Sequence, residues 1–517
     1  MSFVGSASAA SAMGGSEVRD REDDDCRRGR CRGAGTAGLR AEMDGASILE
    51  RLGTSRNILL LQGPVGPFFD RLARFLREQG CTVSKVNLNF GDAWFYRQSG
   101  AVNFTESPDH WPHFIDDLLR ERSIDAVILF GDCRPYHRSA VLRARLQSVP
   151  VFVFEEGYIR PNYVTFEPGG VNGNSLLPCS PGVLGLIPYS RRTGKKSARF
   201  PRMARYALTY YLAGRAGREN YPNYRHHKPF DIFPEAWYWL RAGWRKQLYR
   251  FTERDYPARL AGELSGKYFL VPLQVFNDSQ VKHHSDFRSV RAMISTVLDS
   301  FVREAPRDAH LVFKHHPLDR GHRHYGKQIA EVAAKAGVAD RVHYVHDLHL
   351  PTLLQCARGV VLINSTTGLS ALYHRAPVKA LGRCIYDLPG LTHQGDLASF
   401  WTSPTGPDEG LFERFRSYLI GMTQVSGSFY SGRRIVLGDP ELVQVEGPQV
   451  AQPEPGWAMP QPDGLVFRQT APVVPPHTAE VVALRSAEPA PRRIVARMHG
   501  GREVGGLRAA LRSDTVA

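Results

Sequence analysis

The sequence predicts an α/β protein built from two doubly wound, parallel-sheet domains facing a cleft, flanked by disordered tails. Three observations predict it. Short, continuously apolar runs alternate with amphipathic helical segments, and strands of that kind belong to parallel sheets covered on both faces. The same strand-and-helix order appears twice along the chain, without an internal sequence repeat. Between the two passages lies a stretch of different composition, rich in basic and aromatic residues.

In the first passage the apolar run NILLLQ (57–62) meets the turn GPVGP, after which FFDRLARFLREQG sets Phe69, Leu72, Phe75 and Leu76 at helical spacing and stops at Gly80. TVSKVNLN (82–89) is a second strand. IDAVILFGD (124–132) is a third, after the helix WPHFIDDLLRER, and VPVFVFEEG (149–157) is a fourth. The second passage offers KYFLVPLQV (267–275), AHLVFKHHP (309–317), RVHYVHD (341–347), GVVLINSTTG (359–368) and PVKALG (377–382), with helical segments between them. Ligands of such sheets bind beyond the carboxyl ends of the strands, so the residues ending these runs are where chemistry is expected.

The intervening stretch 186–260 carries 17 Lys and Arg against 5 Asp and Glu, so it holds most of the whole chain's net charge of +15. Sixteen of its residues are aromatic. Within it Trp237, Leu240, Trp244, Leu248 and Phe251 recur at helical spacing beside Arg241, Arg245, Lys246 and Arg250. Such a stripe is either packed into the core with its basic face solvated, or it is an interfacial surface for an anionic membrane. The expected organisation is therefore a disordered extension over 1–53, a first domain over 54–185, a basic aromatic helical connector over 186–260 and a second domain over 261–405. A C-terminal helix returning to the first domain follows over 406–431, and then a disordered Pro/Ala-rich tail over 432–517. Met43 is an alternative start to Met1.

Composition narrows the function classes. At 42% apolar residues the chain of 517 has enough to bury real cores. Its seven cysteines are scattered and none forms a CxxC pair, which argues against a disulfide framework and a zinc ribbon and fits a reducing cytosol. No apolar stretch reaches the 18 or so residues that would span a bilayer, and the first thirty residues lack the apolar core of a signal peptide. The excess positive charge predicts an anionic partner, and with no recognised nucleic-acid motif beside it, nucleic acid is not expected.

Several strand ends carry polar clusters. FKHHPLDRG places Lys314, His315, His316 and Asp319 there, with Pro317 ending the strand and fixing the turn that presents the imidazole. In INSTTG, Asn364, Ser365, Thr366, Thr367 and Gly368 lead into a helix, where hydroxyls and free N–H groups suit a phosphate, or simply cap the helix. VPLQVFNDSQV sets Gln274, Asn277, Asp278 and Gln280 after a buried strand, with Asp278 either a catalytic carboxylate or an Asx-turn residue. From the opposite wall FEEGYIRP offers Glu155, Glu156, Tyr158 and Arg160. FGDCRPYHR adds Asp132, Arg134, Tyr136 and His137 to the rim. Adjacent residues on a strand point to opposite faces, so at most one of Glu155 and Glu156 serves as acid or base. His343, His346 and His349 straddle a strand and its loop and are expected in structural roles. No metal site is expected, since the folded core lacks a DxD pair of the sort that holds a cation for a nucleotide.

Taken in order from 61 to 430, LQGPVGPFFDRLA, FGDCRPYHR, FEEGYIRP, GGVNGNS, YPNYRHHKP, VPLQVFNDSQV, FKHHPLDRG, YVHDLHLPTLL, INSTTGLSALYH, LGRCIYDLPGLT and GSFY resemble the bacterial capsule polysaccharide biosynthesis/export proteins of the KpsS and LipB type. The resemblance implies a GT-B-like fold of two Rossmann-like domains and a retaining transfer of 3-deoxy-D-manno-octulosonic acid (Kdo) from CMP-Kdo, with β linkage, to a (lyso)phosphatidylglycerol acceptor. It implies that His316, with Pro317, contacts the CMP and that Ser365, Thr366, Thr367 and Gly368 hold its phosphate. Asp278 and Glu155 or Glu156 would be the cleft carboxylates, with Gln274, Asn277, Lys314, Arg134, Tyr158 and Arg160 binding substrate. No cofactor is implied, CMP-Kdo being a substrate. The implied partners are the anionic lipid and inner-leaflet surface, a second Kdo transferase and the capsule export complex. The implied location is cytoplasmic, peripheral on the inner face of the plasma membrane. Other readings are a non-catalytic export or assembly component and a sugar-nucleotide 2-epimerase.

Overall fold

A computed structural model describes residues 43–160, 162–177, 181–184, 200–225, 232–431 and 435–436. Most of both expected tails, 1–42 and 437–517, lies outside these residues, while Met43, the alternative start, lies within them.

The strands run in chain order as β1 (Met43–Asp44), β2 (Asn57–Leu60), β3 (Thr82–Asn87), β4 (Ala101–Asn103), β5 (Ala126–Phe130), β6 (Val151–Glu156) and β7 (Tyr163–Pro168), then β8 (Tyr268–Pro272), β9 (His310–Lys314), β10 (Val342–Val345), β11 (Gly359–Leu362), β12 (Val378–Ala380), β13 (Gln424–Ser426) and β14 (Ile435–Val436). The first half is a seven-stranded sheet in the order β13-β7-β6-β5-β2-β3-β4. Its strands β2 to β6 pair in parallel, while β7 and β13 are antiparallel additions at one edge. The second half is a wholly parallel five-stranded sheet in the order β10-β9-β8-β11-β12. Both orders reverse direction beside the first strand of their half, which is the doubly wound, Rossmann-like arrangement whose crevice opens at the strands' carboxyl ends. Two such halves give the GT-B-like build.

Burial on both faces explains the unbroken apolar runs. On β2, Ile58 and Leu60 enter one core while Leu59 enters another on the opposite face. On β8, Tyr268 and Leu270 point one way and Phe269 and Val271 the other. A strand with two dry faces has no polar position to alternate.

The connector is helical where it is described, over Phe200–Ala216, Ile232–Thr252 and Tyr256–Ala261. Met203, Ala207, Tyr210 and Tyr211 of its first helix complete the core of the N-terminal half. After the second half, the helix Glu409–Thr423 buries Leu411, Phe412, Phe415 and Leu419, and β13 then joins the N-terminal sheet beside β7.

Two boundaries differ from the expected ones. The extension read as 1–53 contributes a helix, Gly45–Leu52, whose Ile48 and Leu52 are buried in the N-terminal core. Gly45 permits the contact, since a Cβ there would fall 2.3 Å from the Phe75 ring. The tail read as 432–517 contributes Ile435–Val436, which pairs in parallel with Met43–Asp44. A two-residue ladder is too short to register as a strand pattern, but Ile435 is buried beside Ile48 in the same core cluster.

Candidate functional site

The residues at the carboxyl ends of β8, β9 and β11 are stitched together. Nε2 of Gln274 donates to Oδ1 of Asn364 at 3.0 Å and to Oδ2 of Asp278 at 3.2 Å. Nδ2 of Asn364 in turn donates to the carbonyls of Gln280 and His284. The buried Asp319, after β9, accepts from the backbone N–H of Phe276, after β8, at 2.9 Å. Three loops distant in sequence thus form one platform.

His316 caps the short turn Pro317–Asp319, its Nδ1 accepting from the Leu318 N–H at 3.2 Å. With Nδ1 so engaged, the proton of the neutral ring sits on Nε2, which is left as a donor. Burial, reinforced by the charges of Lys314, Arg160 and Arg320, pushes this imidazole down to about 3. Arg160 belongs to the N-terminal half, so the two walls meet here in positive potential. Lys314 is buried with its ammonium on the carbonyl of His346, and burial lowers it to about 8.

The Ser365 hydroxyl accepts from the Thr367 N–H and bonds the Thr367 hydroxyl, which is a capping arrangement. Tyr386 donates to the Ser365 carbonyl at 2.5 Å, and Gly368 is required because a Cβ would lie 2.3 Å from that tyrosine ring. Thr366 and Asn364 line a cavity with Tyr158 and Asn172 of the opposite half, so Tyr158 and the Thr366 turn do face one another. Tyr158 is buried, and its hydroxyl accepts from the Asn172 N–H.

Glu155 is buried, and burial pushes its carboxyl up to about 8 against the Glu156 N–H that donates to it and the charge of Arg134, while the charges of Glu156 and Asp132 add to the rise. Arg134 also donates to Gln62 Oε1 at 2.9 Å, tying the turn after β2 to the start of the helix Pro135–Leu146. Asp278, by contrast, caps the helix Ser279–His283 through the Gln280 N–H, and its other oxygen accepts from Gln274. Glu155 is grouped with Asp132 and Arg134, and Asp278 with Gln274 and Asn364. Asn277 is half-buried beside Asp278.

Some expected rim residues are structural. His137 is wholly buried, with Nδ1 donating to the Gly131 carbonyl at 2.7 Å, and the Trp111 indole donates to the Tyr136 carbonyl. Both lie on a helix whose inner face fills the core, which places them behind the rim. His343 pairs with His310, His346 stacks on Tyr249 and meets Glu253 at 2.5 Å, and His349 meets Thr352, so the three rings do not converge.

Sequence reading passed over two clusters. Gln62, Asn89, Asp92, Tyr210 and Tyr224 form a buried polar network beside Lys85, whose ammonium burial lowers to about 8. Asp132, Cys133 and His284 meet across the two halves, their ligating atoms all within 4.8 Å of one another.

The family profile described as "Capsule polysaccharide biosynthesis protein" matches residues 125–430, more than half of the chain. The chain belongs to the capsule polysaccharide biosynthesis protein family. It is 43% identical over 379 residues to the capsule polysaccharide export protein KpsS of Escherichia coli, covering 73% of this chain and 97% of KpsS. It is 42% identical over 394 residues to the capsule polysaccharide modification protein LipB of Neisseria meningitidis serogroup A, covering 74% of this chain and 93% of LipB. Among solved structures, the KpsC beta Kdo 2,7 transferase of Thermosulfurimonas dismutans overlays with a TM-score of 0.34 at 16% identity, covering 70% of this chain and 88% of that one. This member of the capsule family has no helix, among its described residues, long and apolar enough to cross a membrane.

Proposed function

We propose that this protein is a retaining β-Kdo transferase that moves Kdo from CMP-Kdo to a (lyso)phosphatidylglycerol acceptor, starting a lipid anchor for capsular polysaccharide. The observation that carries this reading is the setting of His316. A neutral imidazole with its N–H left to donate, among Lys314, Arg160 and Arg320 at the mouth of a Rossmann-like sheet, suits a nucleotide phosphate. Ser365, Thr366 and Thr367 border the same crevice and would complete the phosphate's contacts, with Gln274, Asn277 and Tyr158 facing the sugar.

Retention requires two displacements. In the first, a carboxylate attacks the anomeric carbon and CMP departs; in the second, the acceptor hydroxyl attacks the glycosyl-enzyme as a base removes its proton. Asp278 is assigned to the attack. Glu155 is assigned to the proton, because a carboxyl raised to about 8 is a far stronger base when ionised than an ordinary carboxylate. Glu156, on the other face of β6, is left in a supporting role.

The acceptor side rests on the helix Ile232–Thr252. Its stripe is on the surface, with Trp237 63%, Leu240 70%, Trp244 65% and Phe251 70% exposed. Aromatic and apolar side chains beside Arg241, Lys246 and Arg250 suit an anionic inner-leaflet surface, with the aromatics at headgroup depth. A cytoplasmic, membrane-peripheral location belongs to the same proposal, as do a second Kdo transferase and the export complex as partners. The name of the E. coli relative favours an alternative, an export component without catalysis, which gives no reason for polar groups at facing strand ends.

Calorimetry with CMP tests the donor site. His316→Ala should weaken CMP binding by about ten- to a hundredfold, the loss of one charge-assisted hydrogen bond of roughly 1.5–3 kcal/mol, with the fold intact. Unchanged affinity would move the nucleotide elsewhere.

A further inference from the structure

At the carboxyl end of β5, Asp132 and Cys133 of the N-terminal half meet His284, which follows the short helix Ser279–His283 of the C-terminal half. Sγ of Cys133 lies 3.3 Å from Nε2 of His284 and 3.4 Å from Oδ1 of Asp132. A thiol has one proton to share between these two neighbours. Around a tetrahedral zinc ion, bonds of about 2.0–2.3 Å hold the ligand atoms about 3.3–3.8 Å apart, which is the spacing of both contacts. We propose that Asp132, Cys133 and His284 form a Zn²⁺ site that ties the two halves together across the cleft.

The surroundings fit such a site. Asp132 and His284 are buried, at 5% and 3% exposure. The second oxygen of Asp132 accepts from the Val171 N–H at 3.2 Å and from Nδ2 of Asn174 at 3.0 Å, which aims the first oxygen at the sulfur. Outer hydrogen bonds of this kind commonly orient metal ligands. Gly173 leaves room for the imidazole, because a Cβ there would fall 2.5 Å from Nδ1 of His284. The His284 carbonyl is held by Asn364 and by the Arg383 N–H, so the histidine is anchored to the platform beneath it. One sulfur, one nitrogen and one oxygen make a donor set that zinc accepts readily, with a fourth position open to water. Zinc binds the thiolate, so coordination releases the thiol proton to solvent. None of the three residues is assigned a transfer step, but Asp132 also acts on the Glu155 carboxyl, so the site is tested by metal binding and not by activity.

The test uses the full chain, freed of metal, with Zn²⁺ and Co²⁺ as probes. One Zn²⁺ should bind per chain and raise the melting temperature, and Co²⁺ should produce a thiolate-to-metal charge-transfer band in the near ultraviolet. Cys133→Ser should abolish that band, whereas Cys356→Ser should keep it. Asp132→Asn and His284→Ala should each weaken zinc by more than about a hundredfold, since even outer-shell substitutions cost ten- to a hundredfold. Absence of zinc binding by the wild-type chain, or a cobalt band that persists in Cys133→Ser, would overturn the proposal and leave the group as a hydrogen-bonded contact between the halves.

Discussion

Nε2 of Gln274 donates to Oδ1 of Asn364 at 3.0 Å, and the backbone N–H of Asn364 bonds back to Gln274 Oε1 at 3.3 Å. This reciprocal pair joins the loop after β8 to the loop after β11. Asn364→Ala removes its side-chain half, together with the bonds from Nδ2 to the Gln280 and His284 carbonyls, while the backbone N–H at 364 can still reach Gln274. Both carbonyls keep a backbone donor, the N–H of His284 and of Arg383, so the loss is that of the side-chain hydrogen bonds themselves, about 1 kcal/mol apiece and about 1–3 kcal/mol in all. Urea denaturation should therefore show a loss of that size, and CMP affinity should fall because both loops border the crevice. Unchanged stability would mean that the loops hold their positions without the pair.

Glu155 links pH to both stability and rate. Its folded-state carboxyl is raised to about 8, above an unfolded value near 4.3. The folded chain therefore binds this proton more tightly. The contribution is full below about 4.3 and is lost as pH rises through about 8. Glu155→Gln mimics the protonated form, so relative to wild type it should gain stability, by a few kcal/mol at most, between pH 5 and pH 8.5. If Glu155 is the base, wild-type kcat should climb toward pH 8 while the variant's low rate loses that limb. A stability difference that does not change with pH would contradict the raised carboxyl.

The exposed stripe on the helix Ile232–Thr252 makes binding to vesicles measurable. Co-sedimentation should rise with phosphatidylglycerol content and fall with salt, because exposed charges are screened within about 10 Å at 0.1 M. Neutralising Arg241, Lys246 and Arg250 together should weaken partition by roughly a hundredfold, at about 1 kcal/mol per residue. Arg245 is left unchanged because it also bonds the Arg320 carbonyl. Equal binding to neutral and anionic vesicles would argue that the lipid is delivered by a partner.

The absence of a DxD pair predicts that divalent cations are dispensable for the nucleotide. At a fixed zinc loading, CMP affinity should be the same with and without added magnesium. A strong dependence on magnesium would put a cation between the phosphate and residues other than His316.

The parallel sheets were legible because their strands are dry on both faces, so Leu59 or Val312 announces itself as part of an unbroken apolar run. The edges were not. β4 is three residues with both ends exposed, and β13 matters only through its pairing with β7, more than 250 residues earlier. At the site, the residue types at strand ends were readable, as was the opposite facing of Glu155 and Glu156. The partnerships were not, because Asp132 and Cys133 meet His284 only after the two halves pack. Nor does sequence distinguish His137, buried at the core, from His316 at the crevice, since both follow a strand end in a polar run.

The central claim is tested most directly by incubating the purified protein with CMP-Kdo and a fluorescent lyso-phosphatidylglycerol, and following the acceptor by mass spectrometry. The acceptor should gain the mass of one Kdo residue, β-linked by NMR of the product, while CMP is released in equal amount, and His316→Ala should lose most of this product. An acceptor unchanged in mass, under conditions where the protein binds CMP-Kdo and the lipid, would contradict it.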